Sequence, residues 1–355
     1  MVNSQAFPCF RTQRMTVDSL QGGGGHEDIC AWNGESMICD SRIRDELGRT
    51  LESTHIDGLG ERTQGKVRDS YRRPGIRIII ATDRISAFDC VLGTVPFKGQ
   101  VLNQLAAFWF EKTGALAPNH VVDVPDPNVM VVEECDQLAI EFVVRGYITG
   151  ITNTSPWTQY QRGIRDYCGH RLPDGLRRDQ KLDAPILTPT TKLEKHDRPL
   201  SRQAAIAEGL IDAATFEAAS AICLKLYDFG ARHAARQGLI LADTKYELGL
   251  RNGAVKVTDE MHTPDSSRYW FADTYRELFD AGRDQRKLDK EYVREWCAGL
   301  GFRGDGAPPA MPDEVRVEAA KRYIRAYEII TGREFKAPDE PVAGRIESAL
   351  KTKGY

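Results

Sequence analysis

The 355-residue sequence has no long hydrophobic run, no closely spaced cysteine pair and no large excess of either charge. Its most continuous apolar stretches, residues 76–81 and 239–242, are far shorter than the roughly 18 apolar residues that a membrane-spanning helix needs. The eight cysteines are scattered without the CxxC spacing of zinc sites, so we expect reduced thiols. Lysine and arginine (48) nearly balance aspartate and glutamate (51), which argues against a general nucleic-acid surface. We therefore expect a cytoplasmic protein with small-molecule partners and without a nucleic-acid or membrane partner.

The length suggests about two domains. Residues 1–57 contain a glycine run at 22–25 and little periodic apolar pattern, so we expect a flexible N-terminal extension. Acidic residues in this segment argue against an organellar transit peptide, although targeting stays open. Residues 58–145 are predicted to form a mixed domain dominated by strands, and residues 146–355 a larger domain with long helices.

Hydrophobic periodicity predicts the main elements of both domains. Strands are expected over residues 65–71, 76–82, 138–145, 239–249 and 254–259. The first two strands form a hairpin through a Pro-Gly turn, and the last two form a hairpin through Asn252-Gly253. Helices are expected over residues of about 101–109, 213–236, 289–300 and 313–330. A polar tail should follow the last helix.

Residues 60–67, GERTQGKV, have the spacing of a phosphate-binding P-loop but not its context. A P-loop follows a strand and opens a helix, whereas Lys66 leads into an alternating strand pattern. Val67 also occupies the place of the magnesium-binding hydroxyl. Lys66 and Arg68 could still point to one face of a strand and clamp a polyphosphate, but a solvated edge strand explains the same two cations equally well.

Charged residues follow two apolar strands. In ATDRISAFD, Asp83, Arg84 and Asp89 stand beside a buried strand, where unpaired charge is costly. They either pair with one another as a structural network, which is slightly favoured, or line a polar cleft. Arg145 ends the strand LAIEFVVR before a glycine-rich exit. This arginine could bind an anion bidentately or pair with a neighbouring carboxylate.

The second hairpin and its exit concentrate charge in Asp243, Lys245, Glu247, Asp259, Glu260 and Arg268. Carboxylates together with substrate phosphates suit magnesium, and a solvated salt-bridge ladder is the alternative. A strict two-residue turn pairs Glu247 with Thr258, which puts Glu247 and Asp259 on opposite faces of the hairpin. Both could then reach one metal only if a bulge or a longer loop shifts the register, and otherwise Glu260 is the partner.

Six motifs follow one another in a recognisable order: GKVRDSY, ATDRISAFD, FVVRGYITG, TPTTK with HD following, ADTKYELG, and DE followed by TPDSSRYW. Over about residues 58–335 the chain resembles the phosphoribosylaminoimidazole-succinocarboxamide synthase, or SAICAR synthetase, family. The resemblance implies a two-domain α+β fold with a kinase-like N-terminal lobe (58–145) and a larger ATP-binding α+β domain (146–355). The implied activity joins carboxyaminoimidazole ribonucleotide and L-aspartate in de novo purine biosynthesis, with ATP and Mg²⁺, giving SAICAR, ADP and phosphate.

The resemblance also implies roles for individual residues. Lys66 and Arg68 would contact the ATP phosphates, and Lys192 would lie near the transferred phosphoryl group. Glu247 and Asp259 would bind magnesium. The ribonucleotide and aspartate sites would be shaped by Asp89, Arg145, Asp243, Lys245, Ser267 and Arg268, with His196 and Asp197 on a loop beside them. The chain departs from the family at Ile151, where many members have serine.

Amide formation from a carboxylate requires activation of a poor leaving oxygen, so we expect an acyl phosphate. Phosphoryl transfer needs positioning and charge neutralisation more than covalent help from the protein. Asp243 or Asp197 could accept the proton of the aspartate amine. Two alternatives remain open: a kinase, although the HRD and DFG sequences of protein kinases are missing, and a non-enzymatic nucleotide sensor that binds ATP without turnover.

Overall fold

The computed structural model describes residues 38–192, 194, 197–288 and 290–355. Its helices are α1 (Asp40–Asp45), α2 (Lys98–Thr113), α3 (Pro156–Gln161), α4 (Arg202–Ala207), α5 (Ala213–Arg236), α6 (Ala272–Asp280), α7 (Glu291–Gly299), α8 (Asp313–Thr331) and α9 (Val342–Lys353). Its strands are β1 (Glu61–Gln64), β2 (Arg68–Arg73), β3 (Ile76–Ala81), β4 (Arg84–Ala87), β5 (Cys90–Thr94), β6 (Val121–Asp126), β7 (Val129–Glu133), β8 (Asp136–Gln137), β9 (Ile140–Ile148), β10 (Asp166–Tyr167), β11 (His170–Arg171), β12 (Gln180–Thr191), β13 (Leu239–Arg251), β14 (Ala254–Thr258) and β15 (Ser267–Phe271).

The first sheet has five antiparallel strands in the order β1-β2-β3-β7-β6. The predicted β2–β3 hairpin is confirmed, and Arg73 pairs with Ile76 across the Pro-Gly turn. β1 pairs with β2 around Gly65, so the chain after Lys66 continues as a strand. Residues 60–67 therefore contain strand β1, which the sequence analysis did not predict, and a turn into β2, and they lack the helix that follows a P-loop, as expected.

The second sheet is built around the long strand β13, with the strand order β12-β9-β13-β14 and with β15 and β8 also paired to β13. Side chains alternate along a strand, so Asp243, Lys245 and Glu247 share one face of β13. β9 runs antiparallel to β13 and aligns Arg145 with Asp243. The charged motifs of two distant parts of the sequence thus lie next to each other.

The β13–β14 hairpin has the register expected for the two-residue Asn-Gly turn. Arg251 pairs with Ala254 and Glu247 pairs with Thr258, without a register shift. β14 ends at Thr258, and the next residue, Asp259, has a φ of 60°. This left-handed conformation is uncommon for a residue other than glycine. Asp259 is therefore outside the strand, and the alternation of faces does not apply to it.

Helix α5 shows how local sequence sets an element of the main core. The Asp212 side chain accepts a hydrogen bond from the Thr215 N–H (2.9 Å) at its start, as N-cap residues do. Gly238, with a φ of 73°, follows its end. The stripe that includes Phe216 and Leu226 is buried against the second sheet. The predicted helix over residues 213–236 is confirmed.

Two segments pack more than the sequence suggested. The alternation of Ile78 and Ile80 gives the first sheet a second apolar face, which must be covered to exclude water. Leu51, from the segment expected to be flexible, covers part of this face, and α9 covers more of it with Ile346 and Leu350. The expectation of a polar tail is wrong for residues 342–353. The remainder of the expected extension, residues 1–37, lies outside the described residues, and the three-part division of the chain stays a prediction.

None of the six cysteines that the structure describes forms a disulfide, in agreement with the expected reduced state. Cys9 and Cys30 lie outside the described residues. Within residues 38–192, 194, 197–288 and 290–355, no helix has the length and apolar character to cross a bilayer.

Candidate active site

A cavity of about 540 Å³ collects nearly all residues for which the sequence predicted a role. The residues that line it include Lys66, Arg68, Asp89, Arg145, Lys192, Asp197, Asp243, Lys245, Glu247, Asp259, Ser267 and Arg268. His196, the remaining predicted site residue, lies outside the described residues. The structure therefore brings these side chains together, while their individual roles stay predictions.

The floor of the cavity is formed by neighbouring strands β9 and β13. Because side chains alternate, every second residue of each strand faces the cavity. These residues are Glu141, Val143 and Arg145 on β9, and Asp243, Lys245 and Glu247 on β13. The sequence analysis missed Glu141. Its position four residues before Arg145, in the same two-residue alternation, was the signal that could have found it.

Glu247 lies between two lysines. Its carboxylate accepts a hydrogen bond from Lys245 Nζ (2.7 Å) and forms an ion pair with Lys192. Burial opposes its ionisation, but the charges of Lys245 and Lys192 prevail and hold the pKa of Glu247 well below its ordinary value. Lys245 Nζ also donates to Glu141 (3.1 Å). Burial raises the pKa of Glu141 to about 7 against the charge of Lys245, and the neighbouring Glu247 charge adds to the rise.

Arg68 binds two consecutive carboxylates at the exit of the hairpin. It forms ion pairs with Asp259 and with Glu260 (3.0 Å). Burial raises the pKa of Asp259 to about 7, the Arg68 charge opposes this rise, and the Glu247 and Glu260 charges add to it. Asp259 and Glu247 thus reach the same cavity without a register shift. The left-handed backbone of Asp259 replaces the bulge or longer loop that the sequence analysis considered necessary.

The opposite end of the cavity is rich in arginine. Asp243 accepts hydrogen bonds from Arg145 Nη1 (2.9 Å) and from Arg268 Nη1 (2.6 Å). Arg145 thus pairs with a neighbouring carboxylate, as one of the two alternatives expected, and it also lines the cavity, while anion binding by this arginine stays a prediction. Arg268 Nε lies 3.7 Å from Glu291, which also forms an ion pair with Arg294 (3.1 Å).

The motif ATDRISAFD divides between structure and site. Arg84 forms a buried ion pair with Asp69 (2.8 Å) and does not line the cavity. Asp89 lines it and pairs with Lys66 across 2.5 Å. The slightly favoured network of Asp83, Arg84 and Asp89 with one another is wrong: Arg84 pairs with Asp69, and Asp83 accepts the backbone N–H groups of Leu51 and Gly99. Asp89 follows the alternative of a polar cleft. Exposed pairs of the Lys66–Asp89 kind contribute little stability, so a phosphate could compete for this lysine.

Several lining residues were not found from the sequence. They are Asp265, Ser266, Lys290, Glu291 and Arg294. Asp265 accepts a hydrogen bond from the buried Lys98 (2.9 Å). Burial lowers the pKa of Lys290 to about 8. Charged residues at the start of a helix are usually solvated, so the sequence alone gives no reason to treat Lys290, Glu291 and Arg294 as site residues. They line the cavity because the tertiary structure brings α7 to it.

A second cavity, of about 380 Å³, adjoins the first. Both are lined by Arg68, Lys192, Glu247 and Asp259. The second cavity is also lined by the apolar side chains of Ile79 and Val132 and by charged residues that include Arg77, Glu133 and Glu134. The two cavities together join a compartment with partly apolar walls to a strongly charged one.

Comparisons with known proteins show which family the chain resembles. The profile of the family described as SAICAR synthetase matches residues 61–308. A phosphoribosylaminoimidazole-succinocarboxamide synthase of Legionella pneumophila is 48% identical over 285 residues, which cover 80% of this chain and 91% of that protein. The chloroplastic synthase of Arabidopsis thaliana is 46% identical over 90% of this chain and 80% of its own length. The structure of the SAICAR synthase from Saccharomyces cerevisiae complexed with SAICAR has a TM-score of 0.71 and 31% identity, covering 81% of this chain and 100% of that one.

The profile match spans more than half of the chain, and the relatives are similar over most of its length. The predicted α+β fold and the resemblance are therefore confirmed. The predicted enzyme, an ATP-dependent ligase of purine biosynthesis, is likewise confirmed, which favours it over a kinase or a nucleotide sensor. The chain belongs to the SAICAR synthetase family.

Proposed function

We propose that the chain joins carboxyaminoimidazole ribonucleotide and L-aspartate in the 540 Å³ cavity, and that ATP activates the ribonucleotide carboxylate as an acyl phosphate. The observation that carries the proposal is the layout of one cavity. It has cations at one end, paired carboxylates with two lysines in the middle, and arginines at the other end. Each group meets a need of this reaction: polyphosphate binding, phosphoryl transfer and recognition of an anionic substrate.

ATP fits the junction between the two cavities. The apolar walls at Ile79 and Val132 suit a purine ring, since ligand pockets commonly combine apolar surfaces with a few polar groups. Lys66 and Arg68, at the charged side of the junction, would contact the phosphates. Their present partners are carboxylates, so a phosphate would replace one anionic partner by another.

The donor set at the junction fits a magnesium ion. Among the residues that the structure describes, no three acidic, histidine or cysteine side chains form a complete metal cage. Magnesium, however, is usually held by one or two carboxylates together with substrate phosphates. Glu247 and Asp259 line the same two cavities, and their mutual repulsion contributes to the raised pKa of Asp259. A bound magnesium would supply neutralisation of the phosphoryl charge.

The arginine end would hold the ribonucleotide. Arg145 and Arg268 both reach Asp243, so their guanidinium groups lie side by side at the cavity wall. Arginine can bind a phosphate through two parallel hydrogen bonds, which lysine cannot reproduce. Ser267, whose Oγ donates to Thr244 Oγ1 (2.8 Å), lines the same wall. We assign these residues, with Asp89, to the ribonucleotide and aspartate sites.

In the first step, a carboxylate oxygen of the ribonucleotide attacks the γ-phosphorus of ATP, and the bond to the β–γ bridging oxygen breaks. ADP leaves, and the ribonucleotide carries an acyl phosphate. Lys192 and Lys245, which flank Glu247, would stabilise the negative charge on the transferring group. No protein nucleophile is needed, because the residues position the reactants and balance charge.

In the second step, the aspartate amine attacks the acyl carbon, and inorganic phosphate leaves with the former carboxylate oxygen. The neutral amine must lose one proton as the amide forms, so a nearby base is required. Asp243 already accepts two arginine hydrogen bonds, whereas burial and the Asp89 charge raise the pKa of Asp197. We therefore favour Asp197 as the proton acceptor.

An isotope experiment tests the proposal. The ribonucleotide is labelled with ¹⁸O in its carboxylate and incubated with the protein, ATP, magnesium and aspartate. An acyl phosphate predicts one ¹⁸O in inorganic phosphate and one in the amide product, measured by mass spectrometry. Unlabelled phosphate would contradict the intermediate. A phosphorylated ribonucleotide that accumulates as the final product in the presence of aspartate would support a kinase.

We further propose that the reaction takes place in the cytoplasm and involves small molecules only. The nearly balanced charge of the chain supports the absence of a nucleic-acid partner. Import of an epitope-tagged full-length chain into an organelle would contradict the proposed location.

A further inference from the structure

Arg84 lies directly behind the turn that presents Lys66. Its side chain is only 3% exposed. Nη2 donates to the Gly65 carbonyl (3.0 Å) and to Asp69 Oδ1 (2.8 Å), and Nε donates to the Lys66 carbonyl (3.1 Å). The remaining terminal nitrogen, Nη1, donates to the Glu52 carbonyl. One guanidinium thus joins the turn, strand β2 and an earlier segment of the chain.

The other carbonyl groups of this turn are also bound. The Val67 carbonyl accepts hydrogen bonds from the N–H (3.1 Å) and the hydroxyl (2.9 Å) of Thr82. The Arg68 carbonyl accepts one from the Gly65 N–H (2.8 Å). All four carbonyl groups from Gly65 to Arg68 therefore have hydrogen-bond partners. The side chains of Lys66 and Arg68 line the cavity.

The earlier segment, residues 51–54, is held to the same network. The Thr54 N–H and hydroxyl donate to Asp69 Oδ2 (2.6 and 3.1 Å). The Leu51 N–H donates to Asp83 Oδ2 (2.7 Å), and the Asp83 N–H donates to the Leu51 carbonyl (2.8 Å). This segment precedes the family match, which begins at residue 61. We call residues 51–54 the strap.

We propose that Arg84, together with the strap, positions the Gly65–Arg68 turn for ATP. The inference rests on the proposed function, in which Lys66 and Arg68 contact the phosphates. Ordering a backbone segment costs conformational entropy. A turn that is already ordered before ATP arrives does not add this cost to binding, so the ligand binds more tightly. Arg84 is a positioning residue, because it acts through Lys66 and Arg68.

A general role in stability does not account for this arrangement. Replacing a buried ion pair by apolar residues is often neutral or stabilising, so Arg84–Asp69 is poor support for a purely structural purpose. The geometry instead uses the flat, forked guanidinium to bind three carbonyl groups and a carboxylate. Lysine keeps the charge but cannot bind these acceptors in the same way.

The test compares Arg84→Lys and Thr54→Val with the unmodified chain. Steady-state kinetics give kcat and the KM for ATP, aspartate and the ribonucleotide, and calorimetry gives the Kd for ADP. We expect Arg84→Lys to raise the KM for ATP and the Kd for ADP about tenfold, and Thr54→Val to raise them about threefold. The KM values of the other two substrates should change less than about twofold.

Arg345→Lys is the matched control. Arg345, on α9, forms a similar pair with the buried Asp126 (3.2 Å) and donates to Asn128 Oδ1 (2.7 Å), but it does not contact the turn. We expect this variant to lower the melting temperature without raising the KM for ATP. Lys66→Ala is the control for the proposed function and should raise the KM for ATP strongly.

The outcomes separate the two hypotheses. If Lys66→Ala raises the KM for ATP while Arg84→Lys and Thr54→Val do not, the positioning role is wrong and the proposed function stands. If Lys66→Ala has no effect, the phosphate assignment fails, and the positioning role fails with it. An equal rise in all three KM values, or the same ATP effect in Arg345→Lys, also overturns the inference. If Arg84→Lys does not fold, the KM for ATP of Thr54→Val decides the question alone. If Arg84→Lys raises the KM for ATP but Thr54→Val does not, Arg84 positions the turn and the strap has no part in it.

Discussion

Glu247 and Asp259 reach one cavity even though strand register would separate them. Glu247 pairs with Thr258 in the hairpin, and Asp259 leaves the strand in a left-handed conformation. The left-handed conformation at Asp259 thus brings a second carboxylate to the cavity that Glu247 lines. A residue held at positive φ is often found where a site needs a particular side-chain direction.

Removing either carboxylate should abolish most turnover. We expect Glu247→Gln and Asp259→Asn each to lower kcat roughly 100-fold, because charge neutralisation of the phosphoryl group is lost. Asparagine also tolerates the left-handed conformation at this position. Initial rates over a magnesium titration check the prediction. Unchanged circular dichroism is the control for folding, and normal magnesium-dependent turnover in both variants would overturn the metal assignment.

Arg268→Lys should weaken substrate binding. The lysine keeps the positive charge but loses the forked contact geometry, so we expect the KM for the ribonucleotide or aspartate to rise about tenfold. The KM for ATP should stay within about twofold, because Arg268 lies at the Asp243 end of the cavity. Initial-rate kinetics with each substrate varied in turn measure this. Michaelis constants for both substrates that match the unmodified chain would contradict the assignment.

Stability should fall with acidification through His262. This ring is fully buried, contacts the Tyr246 hydroxyl (2.5 Å) and packs edge-on against Trp109. Burial, with a smaller effect of the His233 charge, lowers its pKa from 6.5 to about 3. The unfolded chain therefore binds the proton more readily, and acid favours unfolding as the pH falls below 6.5. Between pH 7 and pH 5, protonation of His262 in the unfolded chain should lower the free energy of unfolding by about 2 kcal/mol.

The histidine effect can be isolated with His262→Phe. Urea unfolding of both proteins at pH 7 and pH 5 gives the free energy of unfolding. We expect the variant to be less stable at pH 7, since the Tyr246 hydroxyl loses its partner. Between pH 7 and pH 5, however, its free energy of unfolding should fall by about 2 kcal/mol less than that of the unmodified chain. An identical pH dependence in both proteins would show that His262 does not titrate as described.

Gly146, in the motif FVVRGYITG, is required by a close approach of another side chain. A methyl group at this position would overlap the hydroxyl of Tyr227, which donates to the Leu241 carbonyl (2.8 Å). We expect Gly146→Ala to lower the free energy of unfolding by about 1–3 kcal/mol. Tyr227→Phe removes the overlapping atom, so the double variant should lose less than the sum of the single variants. Strict additivity in urea unfolding would contradict this explanation.

Elements set by neighbouring residues could be predicted from the sequence. The Asn252-Gly253 turn specified the β13–β14 hairpin and its register, and the Asp212 cap with its apolar stripe specified α5. Alternation along β9 and β13 likewise follows from the local sequence and places their charged side chains on one face. These features depend on hydrogen bonds and periodicities that extend over a few residues, so the local sequence contains the required information.

Features that join distant segments could not be predicted in this way. Lys290 and Arg294 line the cavity because the chain returns to it at α7, and α9 is ordered because a remote sheet face needs cover. Arg84 was recognised as a structural charge, but its partners lie at residues 52, 65, 66 and 69, on three different segments. The sequence by itself therefore shows which charged and phosphate-binding groups are present. Their assembly into one site depends on long-range packing, because burial of apolar surface and loop closure act between distant segments and no local pattern encodes them.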